Sequence, residues 1–378
     1  MRAILNYLRA SRTSPNLHRR VLYLAVHDIT YPRNRRIRSY LSENYGIDSE
    51  STELEQHGGY LRRSVRMLIA GLRRSNNIGA VVLAEFNVQY WWIGYIIGRF
   101  RRVPVITDRF VGLYETNVED WQRFSSRSIK ARAHGLFDTL AVRFADYVLI
   151  DTEVRAMELR SQTSRARVFS LPVGAPDWAV PRPRARSASD PLKILYYGNY
   201  IPLHGLSTVM AAAETLARTG KTFALTMVGD GELRGEIESA FRRGTASEHV
   251  SFLDPVPEHQ LSEIISEHDV VLGIFGDSRK AASVIANKVW QGLACGRTVI
   301  TRNSHALGEI ASLTEGQLVQ IEASNSDELA SALAMIEPVP DDGEASASHI
   351  RLREYVDSRY AMFAAALMQR LEGALDEP

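Results

Sequence analysis

Short apolar runs alternate along the chain with longer segments whose apolar residues recur at helical spacing. Runs such as residues 21–26 and 270–275 are typical of strands that are buried on both faces of a parallel sheet. This alternation of strand and helix favours an α/β fold with parallel sheets. It occurs once before and once after a proline-rich segment at residues 176–191, so we predict two Rossmann-like domains joined by a linker.

The predicted elements give bounds to the two domains. Residues 21–175 form the N-terminal domain, and its strands are expected at residues 21–26, 80–84, 103–107, 147–150 and 168–171. Residues 192–340 form the C-terminal domain, and its strands are expected at residues 193–197, 222–228, 250–253, 270–275, 298–301 and 317–321. Residues 1–20 are basic and lack acidic side chains, which predicts an N-terminal extension. Residues 349–378 are expected to hold one long closing helix.

The composition is typical of a soluble globular protein. Apolar residues make up 45% and charged residues 24% of the 378 residues, which is enough chain for two ordinary domains. No apolar run approaches the ~20 residues that a membrane-spanning helix needs. Cys295 is the single cysteine, and the first residues contain no continuous apolar core of the kind found in signal peptides. We therefore expect a cytoplasmic protein.

The net charge of +1 conceals two halves of opposite sign. Residues 1–185 carry 29 basic and 17 acidic side chains, whereas residues 186–378 carry 16 and 27. Two solvated surfaces that attract each other would explain this asymmetry. A basic N-terminal half that docks on an anionic membrane, or on an acceptor that carries phosphate, would explain it equally. We expect no nucleic-acid partner, because aromatic residues do not alternate with the arginines as they do in single-strand binders.

Residues 268–309 predict one strand-to-helix connection in detail. An apolar strand at residues 270–275 is followed by a polar loop at residues 276–286. Asn287 is a suitable N-cap for the next helix, which Gly296 would end. Ligands of open parallel sheets bind at the carboxyl ends of the strands, so this connection is a candidate binding site.

Three cations lie at this connection. Arg279 and Lys280 are in the loop, and Lys288 is in the first turn of the helix. A helix N-terminus offers free backbone N–H groups and a partial positive charge, and nearby cations add to both. The sequence therefore predicts a site for an anion such as phosphate.

The segment at residues 288–301, KVWQGLACGRTVIT, resembles the nucleotide-sugar signature of family-4 glycosyltransferases, which are retaining enzymes of the GT-B fold. The resemblance covers residues 192–309 well and residues 21–174 more loosely. It implies two Rossmann-like domains that face a cleft, with a C-terminal helix that crosses back to the N-terminal domain. The C-terminal domain would bind the nucleotide sugar, and the N-terminal domain would bind the acceptor.

The chain departs from the resembled family at two positions. In that family two glutamates eight positions apart flank the helix, the first near the donor sugar and phosphate and the second on the ribose. The matching positions here hold Ser283 and Gln291. The amide of Gln291 can still hydrogen-bond ribose hydroxyls. Ser283 cannot replace a carboxylate, so backbone N–H groups of the loop would have to contact the donor there.

A glycine-containing turn after the strand 193–197 is a further donor site by resemblance. In the family this turn carries an arginine and a lysine that hold the donor diphosphate. Gly198 begins the turn here, and Asn199 and His204 occupy those two positions. A diphosphate would favour the protonated form of His204, and the helix N-terminus would oppose it. A histidine in the N-cap region that binds no ligand is the alternative.

Three more residues are donor-side candidates by resemblance. Gly229 lies in a tight Gly-Asp-Gly turn, which is either a donor contact or purely structural. Val256 would present its backbone to the nucleobase. Glu309 matches a glutamate beside the donor pocket, although loops commonly place a glutamate there without function.

The acceptor-side candidates follow predicted strands of the N-terminal domain. His27 and Arg33 come after the first strand, and Asp108 and Arg109 come after the strand at 103–107. Tyr114 lies in a long polar loop, and such loops are uncommon unless they bind something. Asp108 is the candidate for orienting the acceptor hydroxyl or accepting its proton. A structural ion pair of Asp108 with Arg109 or Arg33 is the alternative.

We therefore expect a retaining glycosyltransferase that uses a UDP-sugar, or a GDP-sugar, and a glycan, lipid-linked or small-molecule hydroxyl. Lys288, Lys280, Arg279 and His204 would stabilise the departing diphosphate. No residues have metal-ligand spacing, so neither a metal nor another cofactor is expected. The alternatives are a non-catalytic scaffold or regulatory partner with the GT-B fold, and a nucleotide-sugar epimerase of the same fold.

Overall fold

The computed structural model describes residues 20–53, 58–74, 77–340, 343 and 347–373. The predicted extension at residues 1–20 lies, except for Arg20, outside the described residues. Contacts divide the chain into two compact units. The first holds the residues up to Val118, Gln122–Pro172 and the residues from Asp357 onwards. The second holds Glu119–Trp121 and Val173–Val356, which includes the predicted linker.

The first unit contains a parallel six-stranded sheet with the strand order β2-β1-β3-β4-β5-β6. Its strands are β1 Arg20–Val26, β2 Asp48–Glu53, β3 Ile78–Leu83, β4 Val105–Asp108, β5 Tyr147–Ile150 and β6 Arg167–Ser170. Its helices are α1 Pro32–Tyr45, α2 Tyr60–Arg73, α3 Trp91–Arg101, α4 Ile129–Arg143 and α5 Glu153–Gln162. Every residue of β3, β4 and β5 is buried, as expected for central strands that helices cover on both faces.

The second unit contains another parallel six-stranded sheet, with the order β12-β11-β10-β7-β8-β9. Its strands are β7 Leu192–Tyr197, β8 Phe223–Val228, β9 Val250–Leu253, β10 Val270–Leu272, β11 Thr298–Arg302 and β12 Leu318–Ile321. Its helices are α6 Leu206–Thr219, α7 Arg234–Arg243, α8 Glu258–Ser266, α9 Arg279–Ser283, α10 Asn287–Ala294 and α11 Ser326–Met335. The two parallel sheets confirm the predicted pair of Rossmann-like domains.

The last helix, α12, runs from Ala347 to Gly373. Its residues up to Val356 belong to the second unit, and those from Asp357 belong to the first. Within the first unit the Tyr360 hydroxyl donates to the carbonyl of Pro172 at 3.2 Å. The closing helix therefore returns to the N-terminal unit, as the resemblance implied.

One strand was missed and two local expectations were wrong. Strand β2, DSESTE, was not predicted, because it is polar and pairs only along one side with β1. The expected loop at 276–286 contains the short helix α9, which begins after the N-cap Ser278. Asn287 is not the N-cap of α10 but its first residue; Ala286 is the N-cap and has extended dihedral angles.

Candidate functional site

A glycine turn after β7 lies against the first turn of α10. Gly198 has φ 131°, which favours glycine, and a Cβ atom there would lie 3.2 Å from Nζ of Lys288. Gly229, after β8, would place a Cβ atom 2.1 Å from the carbonyl oxygen of Gly198. The two glycines thus bring their turns together and leave the Gly198 backbone beside the lysine. For Gly229 this packing role is the structural alternative given above.

Lys288 is the most unusual charged group of this site. Its side chain is only 4% exposed, and Nζ has no hydrogen-bond partner among the described residues. Nζ lies 4.2 Å from the centroid of the Tyr196 ring, a cation–π geometry. Burial lowers the pKa of Lys288 to about 7. A buried amine without a counter-ion destabilises the folded protein, so its presence indicates a site that an anionic ligand completes.

The N-terminus of α10 provides the second part of an anion site. No side-chain hydrogen bond caps it, and the carbonyl of Ala286 accepts from the backbone N–H of Val289 at 2.9 Å. The first backbone N–H groups of an α-helix lack partners within the helix. With Lys288 in the first turn, this end of the helix combines those donors, the helix dipole and an amine that a ligand can charge.

His204 is held in its neutral form. Its Nδ1 contacts the carbonyl oxygen of Asn199 and, at 2.7 Å, the hydroxyl of Tyr196. A carbonyl only accepts hydrogen bonds, so Nδ1 carries the proton and Nε2 is left as an acceptor. Burial and the nearby Lys288 and Lys280 lower the pKa of His204 well below its usual value. His204 therefore supplies no positive charge for a diphosphate.

Lys280 and Arg279 differ from Lys288 because carboxylates lie near both. Nζ of Lys280 is 3.8 Å from Oδ2 of Asp120, and Nη1 of Arg279 is 4.0 Å from Oε1 of Glu119. The segment Glu119–Trp121 belongs to the same unit. The Arg279 side chain is also 65% exposed, which weakens any charge interaction through solvent screening. The structure therefore leaves Lys288 as the main cation for an anionic ligand.

The two positions that depart from the family motif make uncharged contacts. The Tyr197 hydroxyl donates to Oε1 of Gln291 at 2.7 Å, which leaves the two N–H donors of the amide for other partners. The Ser283 hydroxyl donates to the carbonyl of Lys280 at 3.1 Å. Tyr196 and Tyr197 were missed by the sequence analysis, although two tyrosines directly before a glycine turn could have indicated them.

The remaining donor-side candidates are less engaged. Val256 is half-buried in the segment that follows β9, and Asn199 is exposed and offers its carbonyl to His204. Glu309 accepts a hydrogen bond from the Tyr355 hydroxyl of α12 at 2.7 Å. The Glu309 carboxylate is thus tied to the closing helix.

In the first unit, Asp108 is bound in an ion pair. Nε of Arg33 donates to its two carboxylate oxygens at 3.1 and 2.8 Å, and Nη1 of Arg33 donates to the carbonyl of Leu171 at 2.7 Å. Both side chains are buried. Burial raises the pKa of Asp108 while Arg33 opposes the rise. The structural alternative, a pair with Arg33, is thus the arrangement observed, and it replaces the expectation of a free general base.

The other acceptor-side candidates fall into two groups. Arg109 pairs with Asp138 at 3.0 Å, and the backbone N–H of Tyr114 donates to the same carboxylate at 3.0 Å. Arg109 and Tyr114 are therefore brought together by Asp138. His27 lies exposed in the turn after β1.

Glu85 is a titratable group that the sequence analysis did not select. It follows β3, is 1% exposed, and accepts from Nδ2 of Asn34 at 2.6 Å with one oxygen. Its other oxygen has no partner among the described residues. Burial and the neighbouring Asp108 raise the pKa of Glu85 to about 7. A glutamate directly after an apolar strand was the available signal.

The described residues contain neither a cluster of metal-ligating side chains nor a helix suited to span a membrane. Over the described ranges, no three His, Cys, Asp or Glu side chains form a group that could hold a metal ion. Among the helices that the structure describes, none combines the length and apolar character needed to cross a membrane.

The chain is similar to several known proteins. Residues 191–336 match the family model of Glycosyl transferases group 1. No curated relative matches the sequence. Sucrose-phosphate synthase from Thermosynechococcus elongatus aligns with a TM-score of 0.68 at 14% identity, over 94% of this chain and 99% of that chain. Anabaena HepE, solved with UDP-glucose, aligns with a TM-score of 0.61 at 14% identity, over 94% and 99%.

A third similar structure is a TarM mutant from S. aureus, solved with fondaparinux, alpha-GlcNAc-glycerol and UDP. It aligns with a TM-score of 0.56 at 12% identity over 84% of this chain, which spans 59% of the TarM chain. At these identities the structural neighbours show the fold. The chain has the GT-B fold, and residues 191–336, which lie in its second unit, match the family model of Glycosyl transferases group 1.

Proposed function

We propose that the chain is a retaining family-4 glycosyltransferase that moves a sugar from a nucleotide sugar to a hydroxyl group. Its acceptor would be a glycan, a lipid-linked saccharide or a small molecule. The observation that carries the proposal is Lys288, a buried amine without a described partner at the N-terminus of α10. Departure of a nucleoside diphosphate develops negative charge, and such a site stabilises that charge.

Each donor-side group has a part in this reaction. The diphosphate is bound by Lys288 and by the N–H groups of α10. Gly198 has no Cβ atom, so the diphosphate oxygens can approach its backbone. The free amide donors of Gln291 bind the ribose. Nε2 of neutral His204 accepts a hydrogen bond from a donor hydroxyl. Because protein groups neutralise the leaving group, we propose a reaction that requires no metal or other cofactor.

The choice of UDP over GDP follows the similar structures. HepE was solved with UDP-glucose and TarM with UDP. The residues seen here do not select a base, because Val256 would offer only its backbone. UDP-sugars are therefore the first donors to test, with GDP-sugars as the comparison.

A non-catalytic scaffold is the second candidate, and one observation favours it. The two positions that carry glutamates in the resembled family hold Ser283 and Gln291. The Ser283 hydroxyl donates to the carbonyl of Lys280, and the side-chain carbonyl of Gln291 accepts from the Tyr197 hydroxyl. A scaffold could keep the fold and lose turnover.

A peripheral contact with an anionic membrane is also part of the proposal, and it would place the enzyme at the cytoplasmic face. Leu61, Val65 and Ile69 are exposed on α2 at four-residue spacing, and Arg62 and Arg66 lie beside them. A helix with an exposed apolar stripe and arginines is suited to an anionic lipid surface. Vesicle co-sedimentation should fall when Val65 is changed to Asp; equal co-sedimentation would remove this contact from the proposal.

Donor binding and turnover test the function together. A panel of UDP- and GDP-sugars is incubated with the protein, and donor hydrolysis, the anomeric configuration of the product and the melting temperature are measured. The proposal expects a rise in the melting temperature with UDP and slow hydrolysis with retention. Ligand protection without hydrolysis or transfer would favour the scaffold, and inversion at C2 of a UDP-sugar without acceptor would favour the epimerase.

A further inference from the structure

A cavity of about 400 Å³ lies in the first unit, at the amino-terminal end of the sheet. It is lined by Val105, the first residue of β4, and by Asp146, which directly precedes β5. Asp108 and Arg109 lie at the opposite end of β4. A strand rises about 3.3 Å per residue, so roughly 10 Å of sheet separate the two ends. The cavity is therefore distinct from the acceptor-side candidates.

The cavity has an excess of positive charge. Its lining includes Arg99, Arg102, Arg165 and Arg370, against the single acid Asp146. One oxygen of Asp146 accepts from the backbone of Val105 at 2.9 Å, and the other lies 3.7 Å from Arg165. The other three arginines form no ion pair with any residue that the structure describes. Their charges are available to an anion.

One wall of the cavity is aromatic. The rings of Tyr95 and Phe144 meet edge to face at a centroid distance of 4.9 Å, and Trp91 stacks on Phe144 at 4.8 Å. Sites for small organic ligands combine such apolar walls with a few charged groups, in volumes of about 300–1,000 Å³. The cavity has the size and lining for an organic anion with a ring or apolar part.

Arg102 lies at a backbone position that favours glycine. It ends α3 with φ 57°; its N–H donates to the carbonyl of Arg99 at 3.3 Å, and the N–H of Val103 donates to the carbonyl of Gly98 at 3.0 Å. Gly98 lets this end of the helix approach β4, because a Cβ atom there would lie 2.3 Å from Cγ2 of Val105. Glycine is the usual residue at this helix-ending position, and strained residues persist where their side chain has a use. Arg102 thus lines the cavity from a backbone position that glycine would occupy with less strain.

We propose that this cavity binds a small organic phosphate. Arg99, Arg102 and Arg370 hold the phosphate, since guanidinium groups match phosphate oxygens in paired hydrogen bonds. Tyr95 and Phe144 contact the ring or apolar part. The inference stands on the first unit alone and does not depend on the proposed glycosyl transfer.

Equilibrium titration with phenyl phosphate tests the site, with tryptophan fluorescence as the readout because Trp91 stacks on the cavity wall. The wild type should bind saturably, and Arg99→Gln/Arg370→Gln should weaken this binding at least tenfold. Arg243→Gln, which removes an exposed arginine of the second unit, is the matched control and should bind like the wild type. Unchanged binding by the double variant would assign the phosphate to another site and would overturn the proposal. A wild type that binds no phosphate probe would also overturn it.

Two further arms sharpen the result. Vesicles that contain phosphatidic acid distinguish a lipid headgroup from a free organic phosphate. If the wild type binds these vesicles but not phenyl phosphate, and the double variant does not bind the vesicles, the phosphate belongs to a lipid. Arg102→Gly should raise the melting temperature by relieving the strained backbone while it weakens phosphate binding. A purely structural arginine would give the first change without the second, and that outcome contradicts the role of Arg102.

Discussion

Arg33 and Lys288 are both buried cations near the carboxyl ends of their sheets, but their surroundings differ. Arg33 contacts Asp108 at 2.8 Å in the first unit, whereas Lys288 in the second unit has no hydrogen-bond partner among the described residues. A paired buried charge belongs to the architecture, because removing either partner leaves the other uncompensated. An unpaired buried charge destabilises the protein when no ligand neutralises it. The comparison distinguishes a cation that an internal carboxylate neutralises in the first unit from one that we propose a ligand neutralises in the second.

The largest expected effect separates these two cations. Arg33→Met leaves the buried Asp108 without its counter-ion and should lower the free energy of unfolding by about 3–5 kcal/mol. Lys288→Met removes an unpaired amine and should not destabilise the ligand-free protein. Urea unfolding at pH 7 measures both, and equal destabilisation by the two variants would contradict the comparison.

The pH dependence of the stability change in Lys288→Met tests whether the buried amine causes the destabilisation. The folded pKa of about 7 lies below the unfolded value of 10.5, so the buried amine destabilises the fold fully below pH 7, and this penalty disappears as the pH rises to 10.5. The variant should therefore gain stability on the order of 4 kcal/mol at pH 6, and progressively less towards pH 10. Unfolding curves across this range test it; a gain that does not change with pH would show that the amine is not the cause.

Much of the fold could be predicted because the central strands of both sheets are apolar on both faces. Strand β2 could not, because an edge strand of polar residues carries no such pattern. Lys288 could be selected from its place in the first turn of a predicted helix, and Gly198 from its match to a glycine turn of the resembled family. The pair of Asp108 with Arg33, 75 residues away, was one of the alternatives given from the sequence, but the choice among them depends on how distant segments pack. The same holds for Asp120 near Lys280, which local patterns do not encode.

Glu85→Gln should have a smaller effect with the opposite pH dependence. The folded pKa of about 7 lies above the unfolded value of 4.5, so the buried carboxylate penalises folding fully above pH 7 and not below pH 4.5. Glutamine keeps an oxygen for Asn34, so the variant should be more stable by about 2–3 kcal/mol at pH 8 and nearly unchanged at pH 5. Thermal unfolding at the two pH values measures this, and a larger gain at pH 5 would contradict it.

The smallest expected change in free energy is in the activation barrier for turnover. Lys288→Ala removes a charge-assisted contact worth about 1.5–3 kcal/mol, so kcat/KM for the nucleotide sugar should fall at least tenfold. Arg279→Ala is the comparison, because this exposed side chain lies near Glu119 and should change kcat/KM by less than about threefold. Near-normal turnover by Lys288→Ala would remove Lys288 from the mechanism.

Proton uptake during UDP binding tests the central claim most directly. With a pKa of about 7, the Lys288 amine is mostly neutral at pH 8, and a bound diphosphate should recharge it. Calorimetry in buffers of different ionisation enthalpy should show uptake of close to one proton per UDP at pH 8, and this uptake should be absent in Lys288→Met. UDP binding without proton uptake, or with the same uptake in the variant, would contradict the account.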